Sequence, residues 1–242
     1  MGIRRRLVSL LSYSKGRPKV VQSELSTPTY LNRHCGEPFL VLGNGPSLNK
    51  YGNQFYRLIE KQQPVVLGGN NITEFVYPTY HAFTNRKRFI SYAQTIDPNR
   101  SRVLLSPYLP PWIIRQHYRG EYERIMYVSD RENSFDVKNG IILAECRTVS
   151  VLLIAVALIM GAGKIWVAGL DGYGSLLNNK EPLHFYSTET DLGEVRAVEQ
   201  YCTRFLQEIS DFMLAENRES FKILTPTSYK KHYDNKELIE LD

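Results

Sequence analysis

Short clusters of glycine, asparagine, hydroxyl and acidic side chains suit this chain to a polar, phosphate-bearing ligand. In Gly43-Asn44-Gly45-Pro46-Ser47, two glycines let the backbone approach a phosphate, and Ser47 with the amides that open a following helix can donate to it. The bare alternative is a tight turn with no ligand. The segment is neither the dinucleotide fingerprint GxGxxG, because Pro46 and Leu48 occupy the wrong places, nor a P-loop, because no GK[ST] follows. Asn70 and Asn71 close a second apolar run and Asn85 a third, offering neutral donor–acceptor groups suited to a base, a ribose or a sugar hydroxyl. Each asparagine taken singly reads as an Asx-turn residue rather than a ligand group. Arg86, Lys87 and Arg88 follow, either offsetting phosphate charge or forming a solvated helix face.

Gly169-Leu170-Asp171-Gly172-Tyr173-Gly174 offers an aspartate able to bind a ribose hydroxyl or a metal, between glycines that allow close approach. His184 lies in the polar loop beyond, with Tyr186 beside it. Imidazole's near-neutral pKa suits proton abstraction, so His184 is the base candidate. His81 reads as structural, and His34, His117 and His232 have no supporting context.

Such clusters matter only if the chain brings them to one edge. Phe39–Leu42, Pro64–Gly69, His81–Thr84, Arg102–Ser106, Ile125–Ser129, Lys164–Gly169 and Phe221–Leu224 read as strands. The stretch after Ser47 to about Gln62, and Arg86–Thr95, Leu143–Gly161 and Asp191–Glu216, read as helices. This alternation predicts an α/β, Rossmann-like, mostly parallel sheet with helices on both faces. The expected organisation is a basic tail and linker over residues 1–36 and a single domain over 37–242, with 107–140 a partly irregular insertion. In open parallel sheets, ligands bind beyond the carboxyl ends of the strands, where these clusters fall. The run Val149–Ala162 is apolar except for Ser150, but its 14 residues are short of the roughly 18–20 needed to span a membrane, so a core helix is expected.

The net charge of +5 and pI near 9.0 would suggest a nucleic-acid binder if the charge were evenly spread. It is not. Residues 1–23 hold Arg4, Arg5, Arg6, Lys15, Arg17 and Lys19 and no acidic side chain, leaving 24 basic against 25 acidic residues beyond them. No nucleic-acid partner is expected. Arg4–Arg6 beside Leu7, Val8, Leu10 and Leu11 form either an amphipathic segment drawn to anionic lipid, giving peripheral membrane contact through residues 1–23, or a solvated tail. The apolar stretch Leu7–Leu11 is interrupted by Ser9, too short for a signal peptide, and Arg6 stands where a myristoylation signal wants Ser or Thr. Cys35, Cys146 and Cys202 are widely spaced, which disfavours a disulfide framework or zinc site and fits the cytoplasm.

FLVLGNGPSL, VVLGGNN, AFTNRKRF and TVSVLLIAVALIMGAGKIWVAGLDGY, in this order, resemble the small bacterial sialyltransferases of glycosyltransferase family 42 over about Phe39–Thr190. A weaker similarity runs to the 6-hydroxymethylpterin pyrophosphokinase-like proteins, where an acidic residue is expected in place of Asn85. The first resemblance implies that Gly43, Asn44, Gly45, Pro46 and Ser47 contact the nucleotide phosphate and sugar. Asn70 and Asn85 would contact the nucleotide or donor sugar, with Gly169 and Asp171 near the nucleotide. Tyr173 would stabilise the departing phosphate of a CMP-activated donor, and His184 would deprotonate the acceptor hydroxyl. Inversion without an essential metal or other cofactor follows.

The chain departs from the family in places. A Ser-Gly pair opening the long helix is here Val149-Ser150 after Thr148, which shifts that contact onto Thr148 and Ser150. A second phosphate-stabilising tyrosine has no counterpart, with Asn178, Asn179 or Tyr186 as substitutes, and Arg86 and Tyr186 are candidates for acceptor or phosphate contacts. Three readings follow: a glycosyltransferase working from a nucleotide sugar onto a glycan or lipid-linked acceptor, in the cytoplasm or at the inner face of its membrane; a pyrophosphokinase-like enzyme using ATP and Mg2+; or a non-catalytic nucleotide- or glycan-binding module.

Overall fold

The computed structural model describes residues 26–128, 134–144, 148–173, 184–185 and 195–240. Seven strands form one parallel sheet: β1 (Pro38–Leu42), β2 (Val65–Gly69), β3 (Tyr80–Phe83), β4 (Arg102–Leu105), β5 (Glu123–Arg124), β9 (Lys164–Ala168) and β10 (Lys222–Ile223). Their order is β10-β9-β1-β2-β3-β4-β5. The chain starts at the centre, builds outward on one side, then returns to β1's other flank. The crevice at that reversal, between β1 and β9, is where an open α/β sheet accommodates a ligand.

Strand alternation sorts side chains onto two cores. Phe39, Val41, Val65, Leu67, Tyr80, Ala82, Ile165 and Val167 face one side. They pack with helix α5 (Val149–Ile159) and the stripe Cys202, Phe205, Leu206, Ile209 and Met213 of helix α6 (Val195–Ala215). Leu40, Leu42, Val66, Trp166 and Ala168 face the other, against Leu48 of α1 (Ser47–Lys50), Phe55 and Leu58 of α2 (Gly52–Gln62) and Leu238 of α7 (Lys236–Ile239). Farther out on a flank, Phe83 of β3 and Val103 and Leu105 of β4 pack with Phe89 of α3 (Arg86–Tyr92) and Ile113 and Ile114 of α4 (Pro111–His117). The Rossmann-like sheet with helices on both faces is therefore as the sequence predicted. All eleven residues of α5 are buried, which explains a run apolar on every side. Among the described residues no helix is long and apolar enough to cross a membrane.

Several boundaries differ. The strand expected over Ile125–Ser129 divides: Glu123–Arg124 edges the main sheet, while β6 (Tyr127–Val128) joins a small sheet, β6-β8-β7, with β7 (Asp136–Lys138) and β8 (Ile141–Leu143). Ser129 lies outside the described residues. The long helix expected from Leu143 begins at Val149, because Ile141–Leu143 is paired as strand and the Thr148 side chain accepts from Val151 N to cap the helix. The helical stretch after Ser47 breaks at Tyr51 into two helices, and the helix from Arg86 becomes a 3-10 turn over Ala93–Thr95. Residues expected as linker are packed from Pro28 onward. Tyr30 is fully buried, its hydroxyl accepting from Met126 N (3.2 Å), and Arg33 makes a bidentate ion pair with Glu123 (2.7 and 2.8 Å).

Candidate functional site

The loops leaving β1 and β9 continue the ladder of their strands. Gly43 N donates to Ala168 O (2.7 Å) and Gly45 N to Gly169 O (2.8 Å). This zip explains the glycines more directly than a ligand does. A Cβ on Gly43 would fall on the carbonyl of Gly169, and one on Gly45 would lie 2.5 Å from the Asp171 carboxylate. Gly169 itself has φ +67, a left-handed conformation with Leu48 packed behind it.

Asp171 fills the position expected for a phosphate. Its Oδ2 accepts from Ser47 N (2.8 Å) and its Oδ1 from the Ser47 hydroxyl. The turn thus closes on an internal anion, and the Ser47 amide and hydroxyl expected to receive phosphate are taken by Asp171 in this structure. Pro46 is the cap residue of α1. Gly43, Pro46 and Ser47 are not among the residues that line the cleft.

The other candidates converge. A cleft of about 210 Å³ is lined by Asn44, Gly45, Asn70, Asn85, Thr148, Ser150, Gly169, Asp171, Tyr173 and His184. Asn44 is buried, with Nδ2 donating to Gly69 O (3.2 Å) and Oδ1 left without a partner among the described residues. Asn70, at φ +57, accepts from His81 Nε2 (2.7 Å) on its backbone carbonyl, and its Oδ1 is likewise unpartnered. A buried orphan acceptor costs stability unless something donates to it, so both oxygens suit a ligand rich in O–H or N–H groups. Asn85 differs, since its Oδ1 caps α3 by accepting from Arg88 N (3.2 Å). Asn71 turns away and binds Glu74.

His184 owes its place to its neighbour. Phe185 N donates to Asn44 O (2.9 Å), Phe185 O accepts from Asn49 Nδ2 (3.3 Å), and the ring packs edge-on against Phe75. The imidazole Nε2 accepts from Arg88 Nη2 (3.1 Å), because a guanidinium only donates; the ring proton therefore sits on Nδ1. Burial, with the Arg88 charge added, lowers the His184 pKa to about 4. Burial pushes the Tyr173 phenol up to about 12, helped by Cys202 and Glu199, so it remains a neutral donor at physiological pH.

Thr84, Cys202 and Tyr229 also line the cleft and were not singled out as site residues from the sequence, whereas Arg88 was named only within the Arg86–Arg88 run. Arg88 takes the place expected of Arg86, which instead lies over the Trp112 ring (5.4 Å). Tyr229 follows β10, so the strand-end rule applied to the last strand would have found it. Cys202 donates to Thr148 Oγ1 (3.7 Å), and burial raises its thiol to about 11. Beneath them, Glu199 accepts from Tyr173 N (2.9 Å), the Tyr229 hydroxyl (2.7 Å) and the Ser228 hydroxyl, tying the loops after β9 and β10 to α6. Tyr186 lies outside the described residues. Among the described residues no group of three or more His, Cys, Asp or Glu side chains is gathered to hold a metal ion.

No protein-family model matches the sequence, and no curated protein matches it. Among solved structures the chain is similar to the MAf glycosyltransferase from Magnetospirillum magneticum AMB-1, at 14% identity and a TM-score of 0.41, over 62% of this chain and 27% of that one. It therefore spans about a quarter of that protein. It is also similar to the sialyltransferase CstII from Campylobacter jejuni, solved with the substrate analogue cytidine-5'-monophosphate, at 12% identity and a TM-score of 0.49, over 84% of this chain and 87% of that one.

Proposed function

We propose that the protein is a glycosyltransferase that takes a nucleotide-activated sugar of the CMP type and moves the sugar, with inversion, to a hydroxyl of a cell-surface glycan or lipid-linked oligosaccharide. The observation that carries this reading is the meeting of an imidazole, a neutral phenol and asparagines from three strand ends in the cleft beside the β1/β9 crossing. The acceptor oxygen attacks the anomeric carbon as the bond from that carbon to the phosphate oxygen breaks. His184 takes the acceptor's proton. Tyr173 donates a hydrogen bond to the departing phosphate, where negative charge develops. The orphan acceptors of Asn44 and Asn70 bind O–H or N–H groups of the donor. No step calls for a metal.

The test is a thermal-shift panel of CMP, UDP, GDP and ATP, each with and without magnesium. A ligand at a hundredfold its Kd stabilises by about 2.7 kcal/mol, a rise on the order of 5–10 °C for a domain of this size. CMP is expected to raise the melting temperature without magnesium. A response confined to ATP with magnesium would instead support the pyrophosphokinase reading. His184→Ala should abolish transfer while keeping the CMP shift; retained transfer removes this histidine from the mechanism.

A further inference from the structure

A phosphate entering this cleft meets an internal anion at the glycine turn, because the Asp171 carboxylate already takes the Ser47 amide and hydroxyl. Placing a second anion there would repel the first. Among the described lining residues Arg88 is the cation, and the titratable groups that share the cleft with His184 are Arg88, Asp171, Tyr173, Cys202 and Tyr229. Arg88 is held in place through its backbone amide, bonded to Asn85, while its guanidinium reaches across to His184 Nε2 at 3.1 Å. That bond occupies the lone pair the histidine needs. A guanidinium does not give up its own proton at accessible pH, so the imidazole cannot accept one while the contact stands.

We propose that Arg88 is both the phosphate receptor of the cleft and the gate on its base: the guanidinium covers the His184 lone pair in the geometry of this structure, and a phosphate in the cleft draws it away and uncovers that lone pair. The inference rests on the nucleotide-donor reading and deepens it by setting an order: the phosphate-bearing donor arrives before the acceptor hydroxyl can be deprotonated. A guanidinium exchanges a neutral acceptor for a phosphate readily, since its paired N–H groups match a phosphate edge bidentately and the anion adds a charge–charge attraction that a neutral imidazole lacks. The same exchange removes a cation from the imidazole and sets an anion nearby, which raises its basicity when a proton must be taken.

Histidine-detected nitrogen NMR on the full chain tests this, with the His184 signals assigned by His184→Gln and four conditions compared: no ligand, cytidine, CMP and inorganic phosphate. CMP, and inorganic phosphate at higher concentration, should shift the Nε2 resonance and raise the titration midpoint by about one unit or more, whereas cytidine should not. Arg88→Gln should raise the midpoint without ligand and weaken CMP by at least about tenfold while leaving cytidine unchanged. Arg88→Lys, which keeps the charge but loses the fork, should recover part of the CMP affinity, and melting curves of both variants separate this loss from misfolding. CMP that binds without moving the His184 signals overturns the inference and leaves the donor reading standing. Phosphate that moves them where CMP fails to bind overturns the donor reading and leaves the Arg88 gate standing. If none of these anions moves the His184 signals, the inference fails.

Discussion

A carboxylate that accepts from an amide and a hydroxyl of the same residue is already a ligand, and Asp171 plays that part toward Ser47. The glycine-rich turn keeps the geometry of an anion site while supplying its own anion. The polar character of the cleft therefore rests on Arg88 and on uncharged groups. His81 shows the complementary case, a histidine used for structure. It has no exposed surface, bonds the Asn70 carbonyl through Nε2, and burial lowers its pKa to about 4. Between about pH 6.5 and 4 the unfolded chain protonates this group and the folded chain does not, so stability is full above the upper value and falls as pH falls through the window. The loss from His81 alone is on the order of 3 kcal/mol. Urea midpoints recorded across this range should drop in the wild type and drop less in His81→Gln; parallel curves would show that His81 is not responsible.

At the scale of elements, the site depends on two loops lying as close as two strands. Gly43→Ala pushes a Cβ into the Gly169 carbonyl, which is backbone, whereas Gly45→Ala meets the end of the Asp171 side chain, which can rotate. Overpacking of this kind typically costs about 1–3 kcal/mol, and Gly43→Ala should sit at the upper end with Gly45→Ala below it. Chemical denaturation of both variants checks the order; equal or inverted losses would mean the loops are not zipped as described. The glycines, the strand ends and the two-faced sheet were legible because apolar runs stopped abruptly at Gly, Asn and Asp. The division of Ile125–Ser129 was not, since one short apolar run serves equally for an edge strand and for a separate ribbon, and only pairing partners far along the chain decide. Arg88 over Arg86 was not legible, because both follow Asn85 in one basic run and the Asn85 cap fixes only the Arg88 backbone amide, not where its guanidinium goes. Glu199 was out of reach, because nothing local in an amphipathic helix marks the acid that will meet Tyr173, Ser228 and Tyr229.

Over the whole molecule, charge and chemistry are separated along the chain. The residues beyond position 23 carry 24 basic and 25 acidic side chains, while residues 1–23 carry six basic ones and none acidic. A lipid-linked acceptor would place the cleft at an anionic surface, and each Lys or Arg near such a surface contributes about 1 kcal/mol of attraction. Six together are enough for reversible binding at low salt, and too few to survive strong screening, because the Debye length contracts from about 10 Å at 0.1 M to about 3 Å at 1 M salt. Full-length protein should therefore sediment with vesicles containing an anionic lipid at 0.1 M salt and be released near 1 M, and should ignore vesicles of zwitterionic lipid alone. Replacing Arg4, Arg5 and Arg6 together by Glu should abolish the association while leaving the nucleotide-induced rise in melting temperature unchanged, since the cleft is built from residues 44–229. Association that persists in the charge-reversed protein, or that resists high salt, would assign membrane contact to the body of the protein and leave the basic segment without that role.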